Sequence, residues 1–284
     1  MRAAGAALFL FGCGASMTPS TSDDAAVNDS GSAGMPDVQN SPADSGSDSP
    51  VKADLDGDGL DDAKEQAWAS EYYPFYAIHP SDGCKTHGVL FRLSPHPKNA
   101  GRITIWYDVL YDDDCGSGGH IGDDEAFGVV ADPARAGADG ILAVRAISHQ
   151  GTPCEHTSTC GKCQGMSACS TDVRNGAKYP IVYASKDKHG SYADKAACDS
   201  SFICDFGGCA IAPADAPPLV NAGEPGKPLT SDLTTQGFIT VQNGWKHMEL
   251  FHFDPWKPGK FGGAGDVSND LVDPAFVIDS AGCP

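Results

Sequence analysis

The stretch "RITIWYDVLYD" (102–112) decides the fold class. Ile103, Ile105, Tyr107, Val109 and Tyr111 fall on one face of an extended chain, and Thr104, Asp108 and Asp112 are among the residues on the other. Period-two alternation rich in β-branched and aromatic residues predicts a strand with one face toward a core. Outward from it, "EAFGVVA" (125–131), "GILAVRAISH" (140–149), "YPIVYAS" (179–185), "GFITVQ" (237–242) and "WKHMELFHF" (245–253) read the same way. These runs are short and bounded by Gly, Pro, Asn or Asp. Only "DDAKEQAWASEYY" (61–73) reads as a helix, with Ala63, Ala67 and Trp68 at helical spacing. The expected fold is mainly β: a β-sandwich with one short N-terminal helix and long disulfide-pinned loops.

The chain opens with Arg2, an apolar run from Ala3 to Phe11, then Gly12 and Cys13. That is the pattern of an export signal, too short to span a bilayer. "LFGC" (10–13) resembles the bacterial lipobox, which implies that residues 1–12 are a signal peptide and that Cys13 becomes a lipidated first residue. Residues 14–53 contain no aromatic residue and are dominated by Ser, Asp, Gly, Ala and Pro. Such a segment buries too little apolar surface to offset the entropy of ordering, so 13–53 is expected to be a lipidated cysteine and disordered tether. The expected location is a bacterial cell envelope, at the outer membrane or cell surface.

With Cys13 carrying lipid, ten cysteines remain: Cys84, Cys115, Cys154, Cys160, Cys163, Cys169, Cys198, Cys204, Cys209 and Cys283. An even count in an exported chain predicts five disulfides, whose pairing the sequence does not give. "CEHTSTCGKCQGMSAC" (154–169) also has a zinc-knuckle spacing and "CGKC" a redox-pair spacing, but an oxidising compartment favours disulfides over both. A net charge of −19 excludes nucleic-acid phosphate and anionic lipid surfaces as partners, since both repel it. Cations, sugars and neutral head groups remain, with membrane attachment through the lipid.

"DLDGDGLDDAKE" (54–65) puts acids at loop positions 1, 3, 5, 9 and 12, namely Asp54, Asp56, Asp58, Asp62 and Glu65. Gly59 stands at position 6, where the chain turns sharply, and the Leu60 carbonyl falls at position 7. Calcium needs six to eight hard oxygens, and this is the ligand order of a twelve-residue calcium loop. Position 8 is Asp61, where paired hand motifs carry an apolar residue, and no helix pattern precedes the loop. It therefore looks more like the isolated aspartate-rich repeats of exported bacterial and thrombospondin-type proteins. The competing reading is a solvated acidic linker. The β-sandwich domain is expected over 66–284.

A second acidic set lies in "GHIGDDEAF" (119–127), where alternation places Asp123, Glu125 and Phe127 on one face. His120 lies in the preceding Gly-rich turn, and Asp112 ends the preceding strand eight residues earlier. A hairpin would bring Asp112, His120, Asp123 and Glu125 to one rim. Either they form an acidic turn with His120 bonded to a carboxylate, or they hold a cation. Mutual repulsion favours the cation, because crowded carboxylates raise one another's pKa unless something screens them.

"EYYPFYAIHPSDGC", "WYDVLYDDDCGSGGHIGDDE", "ISHQG" and "YPIVYASKDKHGSY" resemble the vacuolar-sorting-62-related proteins, a family of β-rich domains. "GHIGDDE" also resembles the GHRHDWE heptapeptide of the necrosis- and ethylene-inducing-like secreted cytolysins, and "FGGAG" near 261 resembles a late glycine-alanine turn of theirs. In those cytolysins the heptapeptide and an acid eight residues upstream line a divalent-metal site that engages sphingolipid sugar head groups. The resemblance implies Asp112, His120, Asp123 and Glu125 as ligands for Ca²⁺ or Mg²⁺. Gly122 and Asp124 depart from the heptapeptide's second His and its Trp.

His149 and His189 end strands beside glycines; they either face the same rim or cap turns, and turns are favoured. A Ser148, His149, Asp187 hydrolase arrangement can be drawn, but no nucleophile elbow supports it. Three functions follow in order. The first is a surface-anchored, calcium-dependent binder of glycan or lipid head groups. The second is a metal-assisted hydrolase with His120 or His149 as base. The third, with little between it and the first, is a structural envelope lipoprotein with calcium for stability only.

Overall fold

The computed structural model describes residues 53–84, 86–201, 204–205, 208–209, 217–229, 254–257 and 267–284. In chain order its elements are α1 (Asp62–Glu71), β1 (Phe75–Ala77), β2 (Thr86–Pro95), β3 (Ile103–Asp113), β4 (Ile121–Ala131), β5 (Ile141–Ser148), β6 (His156–Gly161), β7 (Thr171–Arg174), β8 (Ala177–Ala184), β9 (Ser191–Tyr192), α2 (Lys195–Ser200), β10 (Leu219–Asn221), β11 (Gly223–Glu224), β12 (Lys227–Pro228) and α3 (Val267–Asp270). The fold is mainly β, as the alternation predicts. The signal segment, Cys13, the tether to residue 52, the runs at 237–242 and 245–253, and the "FGGAG" turn lie outside the described residues.

Six strands form one sheet in the order β10-β2-β3-β4-β5-β6, antiparallel except for the parallel β10–β2 pair. A second sheet runs β1-β8-β7, with β9 also on β8. The core lies between them. Phe91, Tyr107, Tyr111 and Phe127 of the large sheet meet Tyr76, Tyr183 and Tyr192 of the small one, all buried. Tyr107 and Phe127 stack with ring centroids 5.1 Å apart, and Tyr73 meets Tyr107 edge-on at 5.1 Å. These are the preferred aromatic geometries.

The outer face of the large sheet is covered as well. Phe276 packs on Trp106, Ala126 and Ile147, and Ile278 on Val130, Leu142 and Ala143. Residues 267–284 thus form a strap across the sheet. It is tied by the Trp106 Nε1–Asp273 O bond at 3.1 Å, the Arg145 Nη1–Ala275 O bond at 2.7 Å and the Cys163–Cys283 disulfide. Gly128 permits the close approach, since a Cβ there would lie 2.8 Å from the Phe276 carbonyl oxygen. The strap explains why "RITIWYDVLYD" carries Trp106 and Leu110 on its second face: that face is buried, not wet.

All ten cysteines downstream of Cys13 pair: Cys84–Cys115, Cys154–Cys204, Cys160–Cys169, Cys163–Cys283 and Cys198–Cys209. The two cysteines of "CGKC" bond to different partners, so neither the zinc-knuckle nor the redox spacing acts as such. The single expected helix is present as α1 but is not alone, since α2 and α3 are short helices with no readable periodicity.

Candidate functional site

The Asp54–Glu65 loop closes on itself before the helix begins. The Asp62 N–H donates to the Ala53 carbonyl at 2.9 Å. Asp54 accepts the Gly57 and Gly59 N–H groups at 2.7 and 3.1 Å, and Asp58 accepts that of Leu60 at 2.7 Å. Gly57 and Gly59 have φ of 76° and 95°, a conformation that glycine adopts at little cost. Asp61 caps α1 by accepting from the Lys64 N–H, which sets Asp62 and Glu65 in the helix's first turn. The positive end of the helix dipole favours acids there.

This geometry brings the five acids of the loop together. Asp54, Asp56 and Asp58 each offer an oxygen within 4.8 Å of the others, and so do Asp56, Asp62 and Glu65. Asp56 is 3% exposed and Glu65 0%. Neither Asp56 oxygen, nor Oδ2 of Asp58, nor Oε1 of Glu65 has a hydrogen-bond partner. Burial and the charge of Asp58 push Asp56 up to about 6. Burial and the charges of Asp56 and Asp58 push Glu65 up to about 8. The donor set is all oxygen, which fits a hard cation and does not fit a soft one.

The second predicted set is arranged differently. β3 and β4 pair with Tyr111 opposite Asp123 and Val109 opposite Glu125, and the Asp114 N–H donates to the His120 carbonyl at 2.9 Å to close the turn. Asp123 and Glu125 share the face of Phe127, as the alternation predicts. His120 folds back on its own turn: Nδ1 meets the Gly122 carbonyl at 2.8 Å, and Nε2 lies 3.8 Å from Asp114. Asp123 meets His189 Nδ1 at 2.8 Å, and the other ring nitrogen lies 3.4 Å from Asp82. Among the described residues, His120, Asp123 and Glu125 do not offer three ligand atoms within 4.8 Å of one another. The side chain of Asp112 lies outside the described residues.

His189 is therefore more than a turn residue. It does occupy a turn, with φ 58°, but its ring is fully buried and stacks on Tyr111 at 3.7 Å between centroids. Burial pushes its imidazole down, yet the hydrogen bonds with Asp123 and Asp82 outweigh burial and raise it to about 9. Burial likewise pushes Asp82 up, and the bond with His189 more than reverses that, so Asp82 sits below the usual carboxylate range. At neutral pH an imidazolium offsets part of the negative charge on this part of the rim. The sequence leaves His189 between the rim and a turn and favours the turn, and it does not single out Asp82 as a partner. Cys84 completes a metal-sized group with Asp82 and His189, but its sulfur belongs to the Cys84–Cys115 bridge.

His149 faces a separate carboxylate. Its Nε2 lies 2.7 Å from Asp205, which also accepts from Ser185 at 2.8 Å and from the Tyr192 hydroxyl. Asp187 instead accepts the Gly83 N–H at 3.1 Å, and Ser148 Oγ reaches the His156 carbonyl at 3.4 Å. The Ser148, His149, Asp187 arrangement is not assembled, because Asp205 holds the histidine. Asp205 carried no readable motif.

No family model matches the chain, and no curated protein matches it. The vacuolar-sorting-62-related resemblance rests on the quoted sequence stretches alone. Solved structures similar to this one include NLPPya in complex with glucosamine, at 19% identity and a TM-score of 0.32, covering 61% of this chain and 75% of that one. Another is NLPPya in complex with mannosamine, at 17% identity and a TM-score of 0.30, covering 55% and 73%. A third, described as a toxin fold for microbial attack and plant defense, has 17% identity and a TM-score of 0.29, covering 61% and 76%. These neighbours are toxin-fold proteins of the necrosis- and ethylene-inducing-like kind.

Proposed function

We propose that this chain is an exported calcium-binding protein, held at a cell envelope by a lipid on Cys13. In this reading the tether carries the β-sandwich, which binds glycan or lipid head groups through a second divalent cation, Ca²⁺ or Mg²⁺, at the rim of Asp112, His120, Asp123 and Glu125. The observation that carries the calcium part is the orphaned oxygen set of the loop. Asp56 and Glu65 are buried with oxygens that no hydrogen bond claims, inside a ring of five acids. Buried carboxylates left unpaired cost several kcal/mol each, and a bound Ca²⁺ offsets that cost in a way a solvated linker has no need of. Support for the head-group part is the sequence resemblance of "GHIGDDE" together with the strongly acidic charge balance.

A second reading has one observation in its favour. His189 already stands between Asp82 and Asp123, so an imidazolium offsets part of the rim's negative charge without a metal, and calcium then serves stability alone. The two are separated by screening the full chain on glycan and lipid arrays, with Ca²⁺ or with chelator. The head-group reading expects binding that chelator removes and that Glu125→Ala weakens at least tenfold while leaving the loop calcium in place. Silence on every array, with calcium bound, would leave the stabilising reading.

A further inference from the structure

A third carboxylate set lies on the opposite face of β4 from Asp123 and Glu125. β3 and β4 pair with Asp108 opposite Ala126 and Leu110 opposite Asp124, so Asp108 and Asp124 are diagonal neighbours on the outer face. The strap brings Asp270, the last residue of α3, down onto them. One oxygen of each lies within 4.8 Å of the other two. Asp108 is 0% exposed and Asp124 6%. Among the described residues no N–H or O–H donor reaches any of the four carboxylate oxygens of Asp108 and Asp124, and the polar neighbour of Asp124 is the Asp270 carboxyl itself. Trp106, Ala126 and Phe276 pack together on the same face.

Native proteins seldom bury polar oxygens without partners, and a charged carboxylate is among the costliest groups to leave so. Protons alone do not resolve the cluster, because each carboxylic acid gains one donor and still needs acceptors and donors for its remaining sites. Three carboxylates around one point supply up to six hard oxygens to a single ion. We propose that Asp108, Asp124 and Asp270 form a binding site for one hard divalent cation, Ca²⁺ or Mg²⁺, that clasps the start of the C-terminal strap to the outer face of the large sheet. The site uses none of the loop or rim ligands. Its occupant joins strands of the sandwich to residues 267–273, whereas the Cys163–Cys283 bridge holds the strap's far end.

The test is equilibrium dialysis of the full chain against Ca²⁺ and, separately, Mg²⁺, with metal analysis and hydrogen exchange across the strap. Wild type is compared with Asp124→Asn and Asp270→Asn, each alone and combined with Glu65→Gln. The site predicts that Asp270→Asn loses one bound ion whether or not Glu65 is altered, and that chelation lowers strap protection in wild type but not in Asp270→Asn. Asp270 is half-buried on a terminal helix, so this variant decides the matter even if Asp124→Asn fails to fold. An unchanged ion count in Asp270→Asn overturns the site, whatever its stability does. Loss of that ion in a chain whose count Glu65→Gln leaves unaltered would support this site and remove the loop's calcium instead.

Discussion

Asn221 donates its side-chain amide to Glu65 Oε2 at 3.1 Å, joining the last position of the acidic loop to the edge strand β10 across 156 residues. Gln66 reinforces the join by donating to the Leu219 carbonyl at 3.3 Å. The loop is thus oriented by the large sheet. A hydrogen bond to a charged group contributes about 1.5–3 kcal/mol. Asn221→Ala is therefore expected to weaken calcium binding roughly tenfold, measured by competition with a chelating dye, without abolishing it.

Calcium affinity should rise with pH. Asp56 and Glu65 are held up at about 6 and about 8, so calcium must displace protons from both on the acid side. Titrations at pH 5, 6, 7 and 8 should show tightening across about that whole range and release of protons to the buffer on binding. A flat profile would mean that these two carboxyls are not ligands.

The calcium-free protein should behave oppositely. Glu65 goes from an ordinary 4.5 to about 8 on folding. A raised carboxyl contributes stability below its unfolded value and loses it as pH climbs through the folded one. Melting in chelator should therefore decline between pH 4.5 and 8, and Glu65→Gln should remove most of that decline. Saturating calcium should also flatten it in wild type.

His189 sets a second window. Its imidazole is raised from 6.5 to about 9, so its ion pairs with Asp123 and Asp82 stabilise fully below pH 6.5 and fade as pH passes 9. His189→Gln should erase this alkaline loss. It should also destabilise the protein at neutral pH by about 3–5 kcal/mol in denaturant unfolding, since it leaves the buried Asp123 without its cationic partner, while Asp82 keeps the Cys84 and Asp187 N–H groups.

Gly128→Ala tests the strap. The new methyl would meet the Phe276 backbone, and overpacking of this kind costs about 1–3 kcal/mol. Chemical denaturation should show that loss, with hydrogen exchange in the strap rising before exchange in β8.

The face of β3 toward the core was legible because Ile103 to Tyr111 alternate without a break, and the loop was legible because five acids fall in register with Gly59. Three things were not. "THGVLFRLSP" became β2 although its apolar run carries no clean alternation, since the strap and the core bury both faces of the large sheet. The Asp205 partner of His149 stands in no quoted stretch, and Asp82, although inside "EYYPFYAIHPSDGC", has no spacing that ties it to His189. Asp108, Asp124 and Asp270 share no spacing at all; only the strap's path over the sheet brings the third to the other two.

Calcium titration of the full chain, followed by heat of binding near neutral pH, tests the central claim most directly. The account predicts a calcium site in wild type that Glu65→Gln eliminates while the fold, judged by near-UV circular dichroism, persists. Wild type giving no calcium-specific heat, or Glu65→Gln titrating just as wild type does, would contradict it.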